Sequence, residues 1–78
     1  MIEKTIMLKD FAAVKEFVEI ANSKDYDIEL MYGKYVINAK SIMGVFSLDL
    51  TKPLVMVAHC QSGGELLMQI KKFIYEDK

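Results

Sequence analysis

The sequence contains no arginine and no tryptophan, and it holds one cysteine, one histidine and one proline. All ten cationic residues are lysines. Each shortage excludes something. A lone cysteine cannot build an internal disulfide framework. One cysteine with one histidine cannot supply the four ligands of a structural zinc site, so no metal or other cofactor is expected. The net charge of −1 and the missing arginine, the best reader of guanine, argue against nucleic acid as a main partner. No apolar run approaches the roughly 20 residues of a membrane-spanning helix. Residues 1–8 are interrupted by Glu3 and Lys4 and are too short for the apolar core of a secretion signal. A free cysteine suits a reducing compartment, so the expectation is a cytoplasmic protein with no membrane insertion.

What is present fits one small folded domain. The 78 residues are 53% apolar and 27% charged, which disfavours disorder. A chain of this length buries roughly 60% of its unfolded surface, enough for a single core. A single domain spanning 1–78 is expected, punctuated by Gly33, Gly44, Gly63, Gly64 and Pro53.

Residues 2–8 are rich in Ile and Thr and read as a strand. Asp10 then precedes 11–21, where Phe11, Val14, Phe17, Val18 and Ala21 follow the spacing of an amphipathic helix. Residues 26–32 alternate, with Tyr26, Ile28, Leu30 and Tyr32 on one side. Gly33-Lys34 makes a tight turn and 35–39 returns as a second strand, giving a hairpin. Ser41 opens 42–48, a segment of one or two helical turns broken by Gly44. Residues 49–53 form a loop and 54–60 a further strand. Ser62-Gly63-Gly64-Glu65 has the S-x-x-E pattern of a capping box. It leads into a helix that places Leu66, Leu67, Ile70, Phe73 and Ile74 on one face. The order β-α-β-β-α-β-α, with alternation in the hairpin, predicts an α+β two-layer domain whose helices cover one face of an antiparallel sheet.

Several positions carry possible chemistry. His59 and Cys60 are adjacent, so in a strand their side chains point to opposite faces and cannot act on each other. The preferred reading is a strand-end surface histidine beside a small buried cysteine. Asp10 could accept a phosphoryl group or act as a base, but helix capping accounts for it from local sequence. Ser41 is a helix-cap candidate too. It is also suited to regulatory phosphorylation, because a phosphate at a helix start is stabilised by free N–H groups, and Lys40 adds positive charge. Ile42, Met43, Val45, Phe46 and Leu48 crowd one short segment. Two or three should enter the core, leaving the rest as an exposed contact surface. Gly63-Gly64 could approach a phosphate, but no complete phosphate-loop pattern is present, and a helix start is the plainer reading.

The run Lys40-Ser41-Ile42-Met43-Gly44-Val45, followed by Ser47-Leu48 and preceded by Gly33-Lys34 and Asn38-Ala39, resembles the signature around the regulatory serine of HPr. HPr is the histidine-containing phosphocarrier of the bacterial sugar phosphotransferase system. The helix at 11–21 resembles that family's active-site helix, and the likeness spans nearly the whole chain. It implies an open-faced sandwich of four antiparallel strands in spatial order 1-4-2-3, with three helices on one face. It implies a part in phosphoenolpyruvate-dependent sugar transport or its regulation. The family motif G-L-H-A-R-P-A, aligned through Phe17-Val18 and Ala21, puts Leu8 and Lys9 at its first two positions and Asp10 at the histidine. Phe11 then falls at the first alanine, Ala12 at the arginine, Ala13 at the proline and Val14 at the last alanine. The imidazole nucleophile and the phosphate-holding arginine are both absent, so enzymatic phosphotransfer is not expected. The resemblance makes Ser41 the regulatory phosphosite. It makes Lys40, Ile42, Met43, Phe46 and Leu48 the partner-binding surface for phosphotransferase-system proteins, an HPr kinase and a transcriptional regulator.

Three readings follow. The first is a regulatory or protein-binding module with Asp10 in place of the phosphohistidine. The second is a phosphocarrier that forms an acyl phosphate on Asp10, since carboxylates serve as nucleophiles in some phosphoryl-transfer enzymes. The third is a structural or oligomeric scaffold that uses the apolar 42–48 segment as a self-interface.

Overall fold

Ile and Thr residues start the chain as an extended segment, and the computed structural model makes it strand β1, Ile2–Ile6. The structure describes residues 1–75; residues 76–78 of the expected domain lie outside them. Helix α1, Phe11–Asn22, follows. Strands β2, Ile28–Tyr32, and β3, Tyr35–Asn38, form the hairpin. Helix α2, Ile42–Phe46, precedes strand β4, Leu54–Ala58. Helix α3, Gly64–Gln69, gives way to a short 3-10 turn, Lys71–Phe73.

The four strands lie in the order β1-β4-β2-β3 and every neighbouring pair is antiparallel. Tyr32 pairs with Tyr35, so the hairpin loop is Gly33-Lys34. Gly33 has φ +59°, a left-handed conformation that costs glycine nothing but strains residues with a Cβ.

Register assigns the two faces. Ile6 lies opposite Leu54, Leu30 opposite both Met56 and Ile37, and Ile28 opposite Ala58. Ile6, Ile28, Leu30, Leu54, Met56 and Ala58 are all buried in one cluster with Val14, Phe17, Val18 and Ala21 of α1, Val45 of α2 and Leu66 of α3. All three helices therefore cover the same face, as expected. Phe17 meets Phe73 edge to face, ring centroids 6.2 Å apart. The opposite face carries the rows Thr5–Val55–Met31–Val36 and Glu3–Val57–Glu29–Asn38.

Some boundaries differ from expectation. β1 stops at Ile6 because the amide of Met7 turns to the carbonyl of Phe73 (2.8 Å). β2 starts at Ile28, and β4 ends at Ala58. The capping box does not form. Gly63 is the cap residue of α3 and no side chain caps it. Gly63 sits so close to Ile2 that a Cβ there would lie 2.1 Å from the Ile2 methyl. Glu65 is drawn instead to the ammonium of Lys24 at 3.1 Å. The last helix is also shorter than its apolar pattern suggests. Ile74 leaves the helical path and bridges Ile6 as an antiparallel neighbour.

Candidate functional site

Two helix starts define the candidate site. Before α1 the backbone of Asp10 is extended, φ −154° and ψ 178°. Its Oδ1 accepts the amide of Ala13 at 2.8 Å, and its carbonyl accepts that of Val14 at 3.1 Å. The carboxylate thus satisfies one of the free donors of the first turn. Asp10 is exposed, and Ala12 beside it is an exposed small residue.

Before α2 the same device recurs. Ser41 is extended, φ −101° and ψ 107°, and its Oγ accepts the amide of Gly44 at 3.2 Å. Several bonds lock the approach to this serine. The amide of Ser41 donates to the carbonyl of Asn38 at 3.0 Å, and that of Lys40 donates to the Asn38 side chain at 2.9 Å. The Asn22 side chain donates to the carbonyl of Lys40 at 3.0 Å. The Lys40 ammonium is not spent on the serine; it donates to the carbonyl of Lys24 at 2.9 Å. Gly44 lets α2 lie against β3, since a Cβ there would fall 2.9 Å from a methyl of Ile37. The serine is therefore an exposed hydroxyl on a rigid mount.

The five apolar residues of the α2 segment separate by face. Val45 is buried. Ile42, Phe46 and Leu48 pack against the core but stay partly exposed, and Met43 is 76% exposed. Phe11 completes this surface, and the sequence reading did not place it there. Helical spacing counted it among the core residues, yet it is 59% exposed. Its ring stacks on Phe46, centroids 4.8 Å apart and planes 19° apart. The stack ties the start of α1, beside Asp10, to the end of α2. A stripe on a helical wheel does not reveal that its first member projects past the core. The signal that could have found it is position, the first turn of the helix, directly after the cap.

The remaining candidates lie elsewhere. His59 Nε2 and Glu29 Oε1 are 2.8 Å apart, and Glu29 belongs to the face opposite the helices. Cys60 packs against the core side, so the two neighbours do not face each other. Tyr26 is held above the ordinary phenol range, first by burial and then by the charge and hydrogen bonding of Cys60. Among the described residues, no group of three or more His, Cys, Asp or Glu side chains could hold a metal. No helix among them is long and apolar enough to cross a membrane.

No family model matches the sequence, and no curated protein does either. Solved structures do. HPr-C-His from Thermoanaerobacter tengcongensis superposes with a TM-score of 0.77 at 26% identity, over 95% of this chain and 91% of the other. The phosphocarrier protein HPr from Bacillus anthracis gives 0.67 at 26% identity, over 95% and 96%. Crh, the catabolite repression protein of Bacillus subtilis, crystallised as a swapped, intertwined dimer, gives 0.60 at 28% identity, over 94% and 88%.

Proposed function

The chain is a member of the HPr-like family, and on that premise we propose that it is a cytoplasmic regulatory module of the bacterial sugar phosphotransferase system. It binds partner proteins through the surface around Ser41 and is controlled by phosphorylation of that serine. The observation that carries this reading is the pairing of an exposed, rigidly mounted serine with an apolar contact surface. Met43, Ile42, Phe46 and Leu48 supply that surface, and the Phe11–Phe46 stack extends it to the start of α1.

The companion observation is chemical. The resemblance described above puts Asp10 where the family has its phosphohistidine and Ala12 where it has arginine. No other arginine exists to hold phosphate oxygens. The Asp10 carboxylate is engaged with the amide of Ala13 and anchors the helix.

Phosphorylation of Ser41 is straightforward to write. The Oγ attacks the terminal phosphorus of ATP and passes its proton to a base of the kinase. The new O–P bond forms as the bond to the bridging oxygen breaks, and ADP leaves. The product adds about −1.5 to −2 charges and three acceptor oxygens. A change of that size on a chain of net charge −1 alters which partner surfaces are complementary to the Ser41–Leu48 region.

Incubation with an HPr kinase and ATP tests the reading. Label is expected on the wild type and is lost in Ser41→Ala. A Met43→Lys change, at an exposed position, should weaken binding to phosphotransferase components by on the order of ten-fold or more, as loss of a central apolar contact does. Absence of label on Ser41 together with absence of binding to any such component refutes the proposal. With phosphoenolpyruvate and the general phosphotransferase enzyme in place of the kinase and ATP, hydroxylamine-sensitive label that disappears in Asp10→Asn would instead establish an acyl-phosphate carrier.

A further inference from the structure

The two edges of the sheet are unlike. At the β1 edge the chain closes its own sheet. The amide of Met7 donates to the carbonyl of Phe73 at 2.8 Å, that of Tyr75 to Thr5 at 2.9 Å, and Ile6 bridges Ile74. Among the described residues nothing does the same for β3.

The register shows which β3 groups are left over. The amide of Ala39 donates to the carbonyl of Ile28 at 2.8 Å. Residues alternate from there along the β2–β3 ladder, so Tyr35 and Ile37 turn their amides and carbonyls toward β2. Val36 and Asn38 turn theirs outward. The carbonyl of Asn38 is used by Ser41. The N–H and C=O of Val36 and the N–H of Asn38 therefore have no protein partner. Natural sheets blunt such an edge with charge, proline, a bulge or a covering segment. Tyr35–Asn38 is short but carries none of these. Two of its three exposed side chains are large and apolar: Tyr35 is 58% and Val36 54% exposed, with Met31 of β2 39% exposed beside them, while the exposed Asn38 is polar and uncharged.

We propose that this edge is a self-association surface. Two copies pair antiparallel through β3, about a two-fold axis at Val36, and their sheets become one. The occupant is a second copy because the edge complements itself. With Val36 opposite Val36, each Val36 N–H meets the other's carbonyl, and each Asn38 N–H meets the carbonyl of Lys34.

The side chains agree on both faces. On the helix side, Tyr35 falls opposite Ile37 of the second copy. There lies a hollow of about 380 Å³ lined by Tyr32, Tyr35, Ile37, Ser47, Leu48 and Asp49, and each exposed ring would fill the other copy's hollow. On the open face the row Val55–Met31–Val36 continues into its own image. Lys34 of one copy comes beside Asn38 of the other, one strand from the carboxylate of Glu29, so a cation is matched to an acid. Crh, similar in fold, crystallised as a swapped, intertwined dimer; simple edge pairing exchanges no segment and is distinguishable from it.

Sedimentation equilibrium across a wide concentration range, combined with amide hydrogen exchange, tests this. A dimer is expected to form as concentration rises. The amides of Val36 and Asn38 should become protected with it, while those of Tyr35 and Ile37 stay unchanged. Val36→Pro removes only an outward N–H, as proline on a free edge does, and should abolish the dimer. Val36→Lys changes an exposed side chain without altering the backbone. By placing like charges face to face it should raise the dimer dissociation constant by on the order of ten-fold. It keeps the test valid if the proline variant does not fold. The proposal is overturned by a strict monomer, or by a dimer that survives both substitutions. A dimer lost in Met43→Lys but kept in Val36→Lys overturns it as well.

Discussion

Asp10 and Ser41 begin their helices in the same way, with an extended backbone and a side-chain oxygen on the amide three residues ahead. Replacing Asp10 with Ala should lower stability by about 1 kcal/mol, read as a shift of the urea midpoint at unchanged slope. Asp10→Asn should recover most of that loss. Asp49 makes a tighter local turn. Its carboxylate accepts both the hydroxyl of Thr51 at 2.5 Å and its amide at 3.0 Å, and these bonds, aided by Lys52, hold its carboxyl below the ordinary range. The associated stabilisation is present above the carboxyl's unfolded pKa and fades as pH falls through the lower folded value. An NMR titration of Asp49 should show the depressed pKa, and Thr51→Val should move it back up. Both helix caps were legible in the sequence because capping is settled by neighbours within a few residues. Phe11 was not, because its exposure depends on where the core stops, which no local spacing records. The position of Lys40 was legible but its bond was not, since its ammonium reaches the carbonyl of Lys24, sixteen residues earlier.

At the level of elements, α1 is held by its apolar stripe and α3 by its partners. Phe17 is 1% exposed and sits edge to face with Phe73, joining α1 to the turn that follows α3. Phe17→Ala should cost about 3–5 kcal/mol, a large part of the roughly 5–15 kcal/mol that holds a small domain together. A guanidinium titration followed by circular dichroism measures it. α1 was readable to within a residue because a long periodic run competes with nothing. The start of α3 was not, because long-range contacts override its local pattern. Glu65 pairs with Lys24 and not with a cap residue, and Ile2 occupies the space beside Gly63. The end of that segment misled for a related reason. Ile74 has the right spacing for the helix face, but pairing with Ile6 recruits it to the sheet.

For the molecule as a whole, the sequence pattern implied two layers with the helices on one side. The hairpin was explicit in Gly33-Lys34 between two alternating runs. The strand order β1-β4-β2-β3 came from the family resemblance and not from periodicity, which cannot say which strands lie side by side. The open face was the least visible part. Val36 and Met31 look like ordinary strand residues until register aligns them in one row. The closed edge also sets a timetable for synthesis. β1 is made before α1 and the hairpin, yet its neighbours in the sheet are β4 on one side and residues 73–75 on the other. While α1 and the β2–β3 hairpin emerge, β1 has no strand to join. Its ladder with β4 waits until Leu54–Ala58 is made, and the outer bonds wait for residues 73–75. During translation the nascent protein therefore carries β1 unpaired, and this sheet is completed late and from both sides of that strand.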